Sequence, residues 1–163
     1  MVETTGGFTS AGLALEAKTL TLASLTQAQA LEIGAIAQEI GQDRKLPIAV
    51  EVRMKDWIVF HASLPGSTPE NDSWIARKAN VVNATGRSTL HERVLAEEQV
   101  IDWHATTGLS EELHAIFGGG LALNVVGLGL TGILLVSGLE QVEDHLLGVE
   151  ILTEYLARKG EEL

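Results

Sequence analysis

The chain contains no cysteine. This excludes a disulfide framework, a thiolate metal site and a thiol nucleophile, and it fits residence in the cytoplasm. Aromatic residues are scarce, with three Trp, one Tyr and three Phe among 163 residues. Leu, Ile, Val and Ala must therefore build the core. Positive charge is scarce as well: 11 Lys and Arg stand against 22 Asp and Glu, giving a net charge of −11. Such a chain is repelled by nucleic acid and anionic lipid, so neither is an expected partner. The N-terminus has an acid at Glu3 and no basic residues ahead of an apolar run, which argues against a secretory signal. A length of 163 with 45% hydrophobic residues suits one domain with a sizeable core.

Most chemical motifs are missing too. There is no G-x-S-x-G elbow and no P-loop. The five histidines (His61, His91, His104, His114 and His145) include no H-E-x-x-H pair, so no metal site is expected. Gly127-x-Gly129-x-x-Gly132 matches a dinucleotide fingerprint by letter, but the apolar run after it reads as a strand. A glycine-rich hairpin turn is the better reading. The uncharged stretch Leu121 to Leu139 is long enough for a membrane span, yet its glycines and Asn124 divide it into a buried hairpin.

What is present gives an element order. Residues 1–18 read as a flexible arm and residues 19–163 as a single domain. Lys18 to Ala23 alternates and predicts a short strand; Thr26-x-x-Gln29 is a capping box that starts a helix ending near Gly41. Ile48 to Met54 and Trp57 to Ala62 form a hairpin. Thr68-Pro69 starts a helix that runs to about Thr85, and Ser88 to Glu98 forms another. Gln99 to Leu113 is ambiguous. Leu121 to Val126 and Leu130 to Val136 are two strands, the second apolar on both faces and hence central. Ser137-x-x-Glu140 predicts a cap for a closing helix whose buried stripe is Val142, Leu146, Val149, Leu152 and Leu156, with Glu154 and Arg158 paired outside. The order β-α-ββ-α(α)-ββ-α suggests an α+β fold with a five-stranded, mostly antiparallel sheet.

One charge feature stands apart. Arg77, Lys78, Arg87 and Arg93 lie between Ser73 and Leu95 with a single acid, Glu92, and His91 beside them. If the two helices meet at Gly86, these cations converge beside a helix end and can hold an anion such as a carboxylate or phosphate. The opposing reading is that they pair with local acids or grip a neighbouring subunit. His145 follows two acids, Glu143 and Asp144, at a helix start, and histidine is a side-chain type that suits ligand or proton work.

The run LPGSTPENDSWIARKANVVNATGRS, the later GGG-x-x-LNV-x-G-x-GLTG and the closing VSGLEQVEDHLLGVEIL resemble the GlcG/HbpS-like superfamily, also called the haem-degrading or PduO C-terminal-like domain. The resemblance covers about Thr19 to Leu156. It implies a profilin-like three-layer α/β/α sandwich with five antiparallel strands and assembly into homo-oligomers. It also brings haem forward as a cofactor, since some relatives bind it. Asn71, Trp74, Arg77, Lys78, Gly138, Asp144 and His145 match the motif. The expected ligand-binding set is Asn71, Trp74, Arg77, Lys78, Arg87, His91 and His145. The readings that follow are an oligomeric small-ligand-binding protein, an assembly scaffold without a ligand, and a haem-degrading or other cofactor-dependent redox enzyme.

Overall fold

Two hairpins supply the whole sheet in the computed structural model, which describes residues 5–162. The first is β1 (Ala49–Met54) with β2 (Trp57–Ser63); the second is β3 (Gly120–Val125) with β4 (Gly129–Ser137). They join through β1 and β4, giving an antiparallel sheet of order β2-β1-β4-β3. Apolar residues on both faces place β4 in the middle. Leu134 and Val136 face one core and Ile133 and Leu135 the other, all fully buried. Burying each such large aliphatic side chain contributes about 1.5–3 kcal/mol.

Helices cover both faces, completing three layers. Helix α1 (Ser10–Thr19) precedes α2 (Gln27–Asp43), which packs on β1 and β2. Helix α3 (Pro69–Thr85) crosses the opposite face against β4 and β3. Helix α4 (Thr89–Gln99) and the short α5 (Trp103–Thr107) follow, and α6 (Gln141–Glu161) returns beside α2. The ambiguous stretch thus holds one short helix.

Local signals act as their chemistry dictates. Thr26 Oγ1 accepts the Gln29 N–H and Gln29 Oε1 accepts the Thr26 N–H, closing the expected capping box. Gly86 ends α3 in the left-handed conformation, and Ser88 Oγ caps α4 by accepting the His91 N–H. Gly127 and Gly129 turn the β3–β4 hairpin with φ of 79° and 74°, so the G-x-G-x-x-G is a turn. Among the described residues no helix is long and apolar enough to cross a membrane.

Four expectations change. The sheet has four strands among the described residues, not five. Lys18 to Ala23 makes only one parallel bridge, Leu22 to Val125, because the chain before it is wound into α1. The segment read as a flexible arm is helical from Ser10, with Thr9 Oγ1 accepting the Gly12 N–H and Leu13 buried against Leu90 and Val94; its first four residues lie outside those described. Ser137 does not cap α6. It stays in β4, and the helix starts after Glu140 without a side-chain cap bond. The buried stripe of α6 is Asp144, His145, Leu147, Gly148, Ile151, Leu152 and Tyr155, while Leu146 is exposed. The helix is rotated by about one residue because it buries two polar groups that hydropathy places outside.

Candidate functional site

The seven expected site residues do not converge; they divide between two clefts, and Arg77 stands in neither. Lys78 lies on the sheet-facing side of α3, and Asp144 in the first turn of α6. Their ammonium and carboxylate meet at 3.2 Å with both side chains almost wholly buried. Lys78 Nζ also donates to the Val136 carbonyl at 2.9 Å. Asp144 Oδ1 accepts the Leu139 N–H at 3.0 Å. Burial pushes the Asp144 carboxyl up to about 6, with Lys78 and the N–H groups of Leu139 and Gly138 opposing. Burial likewise lowers the Lys78 ammonium below its ordinary value, against the pull of Asp144. Gly119 passes over the pair at φ 126°, where a Cβ would stand 2.3 Å from the Val136 oxygen and 2.7 Å from Lys78 Nζ.

A cleft of about 360 Å³ opens above this pair, lined in part by Asn71, Trp74, Phe117 and Gln141. Asn71 and the ion pair are bonded within the protein. Asn71 Oδ1 accepts the Thr68 N–H at 2.8 Å, and its amide nitrogen donates to Ser137 Oγ at 3.4 Å. Trp74 meets Phe117 edge-on at 5.3 Å, and the Arg77 guanidinium lies 4.6 Å over the Trp74 ring. Arg77 donates to the Glu111 carbonyl at 2.6 Å, fastening the loop after α5 to α3. Arg93 does the same for Ile116 at 3.2 Å while pairing with Glu97. These residues knit α3, β4, α6 and that loop together.

The second cleft is a cavity of about 210 Å³ between α1, the outer edge of β3 and the start of α4. Arg87, Ser88 and His91 line one side, Leu13, Glu16, Ala17 and Leu20 the roof, Leu121, Ala122 and Asn124 the floor, and His145 the inner end. Arg87 is half-exposed and only 3.6 Å from Glu92 at its closest. The first turn of α4 adds the positive end of a helix dipole. Burial and the nearby Arg87 charge lower the His91 pKa, with Glu98 acting the other way. His145 is sealed from solvent. Its Nε2 meets Glu16 Oε1 at 2.6 Å. Among the described residues its Nδ1 has no partner, and Phe8 meets the ring edge-on.

Gly86 separates the two groups of cations. Arg77 and Lys78 sit two turns earlier on α3, where helical periodicity aims Lys78 at the sheet; Arg87 and His91 follow the turn and face β3. Sequence reasoning missed Glu16 and the rest of α1's contribution. The signal was there in Thr9 as a cap and in Leu13, Ala17 and Leu20 at three-to-four spacing.

Comparison with known proteins supports the resemblance. The family model described as "Haem degrading protein HbpS-like" matches residues 25–153. A UPF0303 protein of Streptomyces avermitilis is 37% identical over 146 residues, covering 90% of each chain. A UPF0303 protein of Serratia proteamaculans is 31% identical over 138 residues, covering 85% of this chain and 86% of that one. Among solved structures, the Ybr137w protein superposes with a TM-score of 0.81 at 22% identity, over 91% of this chain and 88% of that one. The PduOC:haem complex does so with 0.67 at 18%, over 80% and 94%. With the family match spanning most of its length, the four-stranded α/β/α chain belongs to the HbpS-like family of the GlcG/HbpS-like superfamily.

Proposed function

We propose that this is a homo-oligomeric small-ligand-binding protein whose site is the cavity under α1. The ligand is compact and carries one anionic group held by Arg87 and the start of α4, with an apolar body against Leu13, Leu20 and Leu121. The observation that carries this reading is the contrast in commitment between the two clefts. Lys78, Asn71 and Asp144 are spent on internal bonds, whereas Arg87 holds one loose contact, 3.6 Å from the buried Glu92, and His145 Nδ1 has none among the described residues. Its test is native mass spectrometry of protein from its own host, followed by titration of any retained molecule into wild type and Arg87→Ala. Retention, with affinity about tenfold weaker in the variant, supports it; equal affinity in both refutes it.

Oligomerisation is supported by β2, an unpaired edge strand with Trp57 and Ile58 about half-exposed at its start. Light scattering measures the assembly, and a monomer at micromolar concentration would count against it. The absence of cysteine supports a cytoplasmic site, which cell fractionation tests.

Haem is the second reading, favoured by the family match and by the likeness to a PduOC:haem complex. The residues here do not fit the macrocycle in the arrangement described. Protein ligands for haem iron are His, Cys, Met or Tyr. The cleft above Lys78 is lined by none of these. The α1 cavity is lined by His91 and His145 but encloses about 210 Å³, below the roughly 300–1,000 Å³ of usual small-molecule sites. Haem entry into that cavity therefore requires α1 to leave its place. A saturable Soret shift on titration would favour haem over the smaller ligand.

A further inference from the structure

The floor of the α1 cavity is a strand edge with its backbone groups turned outward. Val136 N–H donates to Gly119 C=O at 2.9 Å, which fixes the phase of the β3–β4 ladder. Residues 119, 121 and 123 thus bond β4, and Gly120, Ala122 and Asn124 face away from it. Two outward positions are already engaged. Gly120 N–H donates to Thr89 Oγ1 at 3.0 Å. Further along, Leu22 bridges the edge, its N–H donating to Asn124 C=O at 2.8 Å and its C=O accepting from Val126 N–H at 3.0 Å.

A continuing parallel strand would next place Leu20 opposite the step between Ala122 and Asn124. It would donate to Ala122 C=O and accept from Asn124 N–H. Leu20 cannot do this, because its N–H turns back to Ala17 C=O at 3.2 Å as the end of α1. The strand that the sequence predicts is therefore missing at the very place where the cavity opens. Ala122 and Asn124 line that cavity, a few residues along the edge from the α4 start with its Arg87 and His91.

Resting on the ligand-binding reading above, we propose that the ligand is a small N-acylated amino acid or a close analogue. Its secondary amide takes the place of the absent strand, donating N–H to Ala122 C=O, while its carboxylate faces Arg87 and the first turn of α4. A site built on a strand-edge carbonyl rejects a ligand without the donor, since the carbonyl is then left dry and unpaired. The small volume under α1, about 210 Å³, favours a free small molecule over the C-terminus of a protein chain.

The test is calorimetric titration of the full-length protein with three probes of similar shape: N-acetylalanine, its ester isostere 2-acetoxypropanoate, and pentanoate. N-acetylalanine binding at least tenfold more tightly than either of the others, with the amide and carbonyl signals of Ala122 and Asn124 shifting in NMR spectra, supports the proposal. Equal affinity for all three overturns the amide contact and leaves the anion site standing. No saturable binding of any probe overturns both. Arg87→Ala provides the internal control, weakening all three probes alike and leaving the amide-to-ester ratio unchanged; loss of the ratio would place the amide elsewhere. Tetra-alanine distinguishes the sources: weaker binding than N-acetylalanine supports a free metabolite, and tighter binding overturns that choice in favour of a peptide end.

Discussion

The cleft above Lys78 and the cavity under α1 draw on the same stretch of sequence and the same helix α6, yet they differ in what is left unbonded. In the first, two charges from α3 and α6 are buried together, and Lys78, Asp144 and Asn71 each have internal partners. In the second, an arginine, two histidines and a strand edge surround a space that the chain does not fill. The comparison teaches that motif residues and a basic cluster are not by themselves a site. A buried ion pair whose partners are all internal serves position and register; it supplies little net stability, yet breaking it is costly.

That contrast can be broken most forcefully at Lys78. Lys78→Met leaves Asp144 buried without its partner and should cost about 3–5 kcal/mol in denaturant unfolding. Adding Asp144→Asn should recover part of the loss, because the amide removes the unpaired buried charge while its oxygen still accepts the Leu139 N–H. A double variant as unstable as the single one would mean that the pair has another role. Next in size is Gly119→Ala, which meets the Val136 oxygen and strains a left-handed backbone. It should lose more than about 1 kcal/mol, read as a fall in the urea midpoint. Gly127→Ala, at an open turn with nothing within 4 Å, shares the backbone strain without the clash and should lose less.

A smaller effect lies in pH. The Asp144 carboxyl, raised from 3.8 to about 6, holds its proton more firmly folded than unfolded. Its favourable share of stability is therefore complete below 3.8 and drains away as pH rises through 6. Stability measured against pH in wild type and Asp144→Asn should differ in slope across that window, with the variant lacking the downward component. Identical slopes would place the titration elsewhere. The smallest effect on stability is expected in the other region. Arg87→Ala should change unfolding free energy by less than about 1 kcal/mol, because a pair at 3.6 Å with a half-exposed arginine contributes little, while weakening ligand binding. A large loss of stability there would show that Arg87 is as structural as Lys78.

Much of the fold was legible in residues whose chemistry is local. The Thr26–Gln29 box, Gly86 after α3, Ser88 before α4 and the alternation through β1 and β2 each act within one turn or one strand pair. The double-faced apolar run of β4 told its central place. The site was legible only in pieces. Arg87, His91 and His145 were recognised as candidates, but a one-dimensional cluster could not show that Lys78 turns inward while Arg87, past the glycine, turns toward β3. Glu16 was hidden because its segment, rich in Thr, Gly and Ser at its start, looks like an arm.

By itself, then, the sequence determined helices α2, α3, α4 and α6, the two hairpins, their α+β order and the family, because caps, turns and periodicity act over a few residues. Tertiary structure alone decided that a fifth strand would shrink to one bridge, that α6 would roll to bury Asp144 and His145, and that the cations would part company. Those outcomes depend on groups distant in the chain, Lys78 with Asp144 and Glu16 with His145. Their hydrogen bonds and ion pairs have value only once the intervening segments have folded and excluded water.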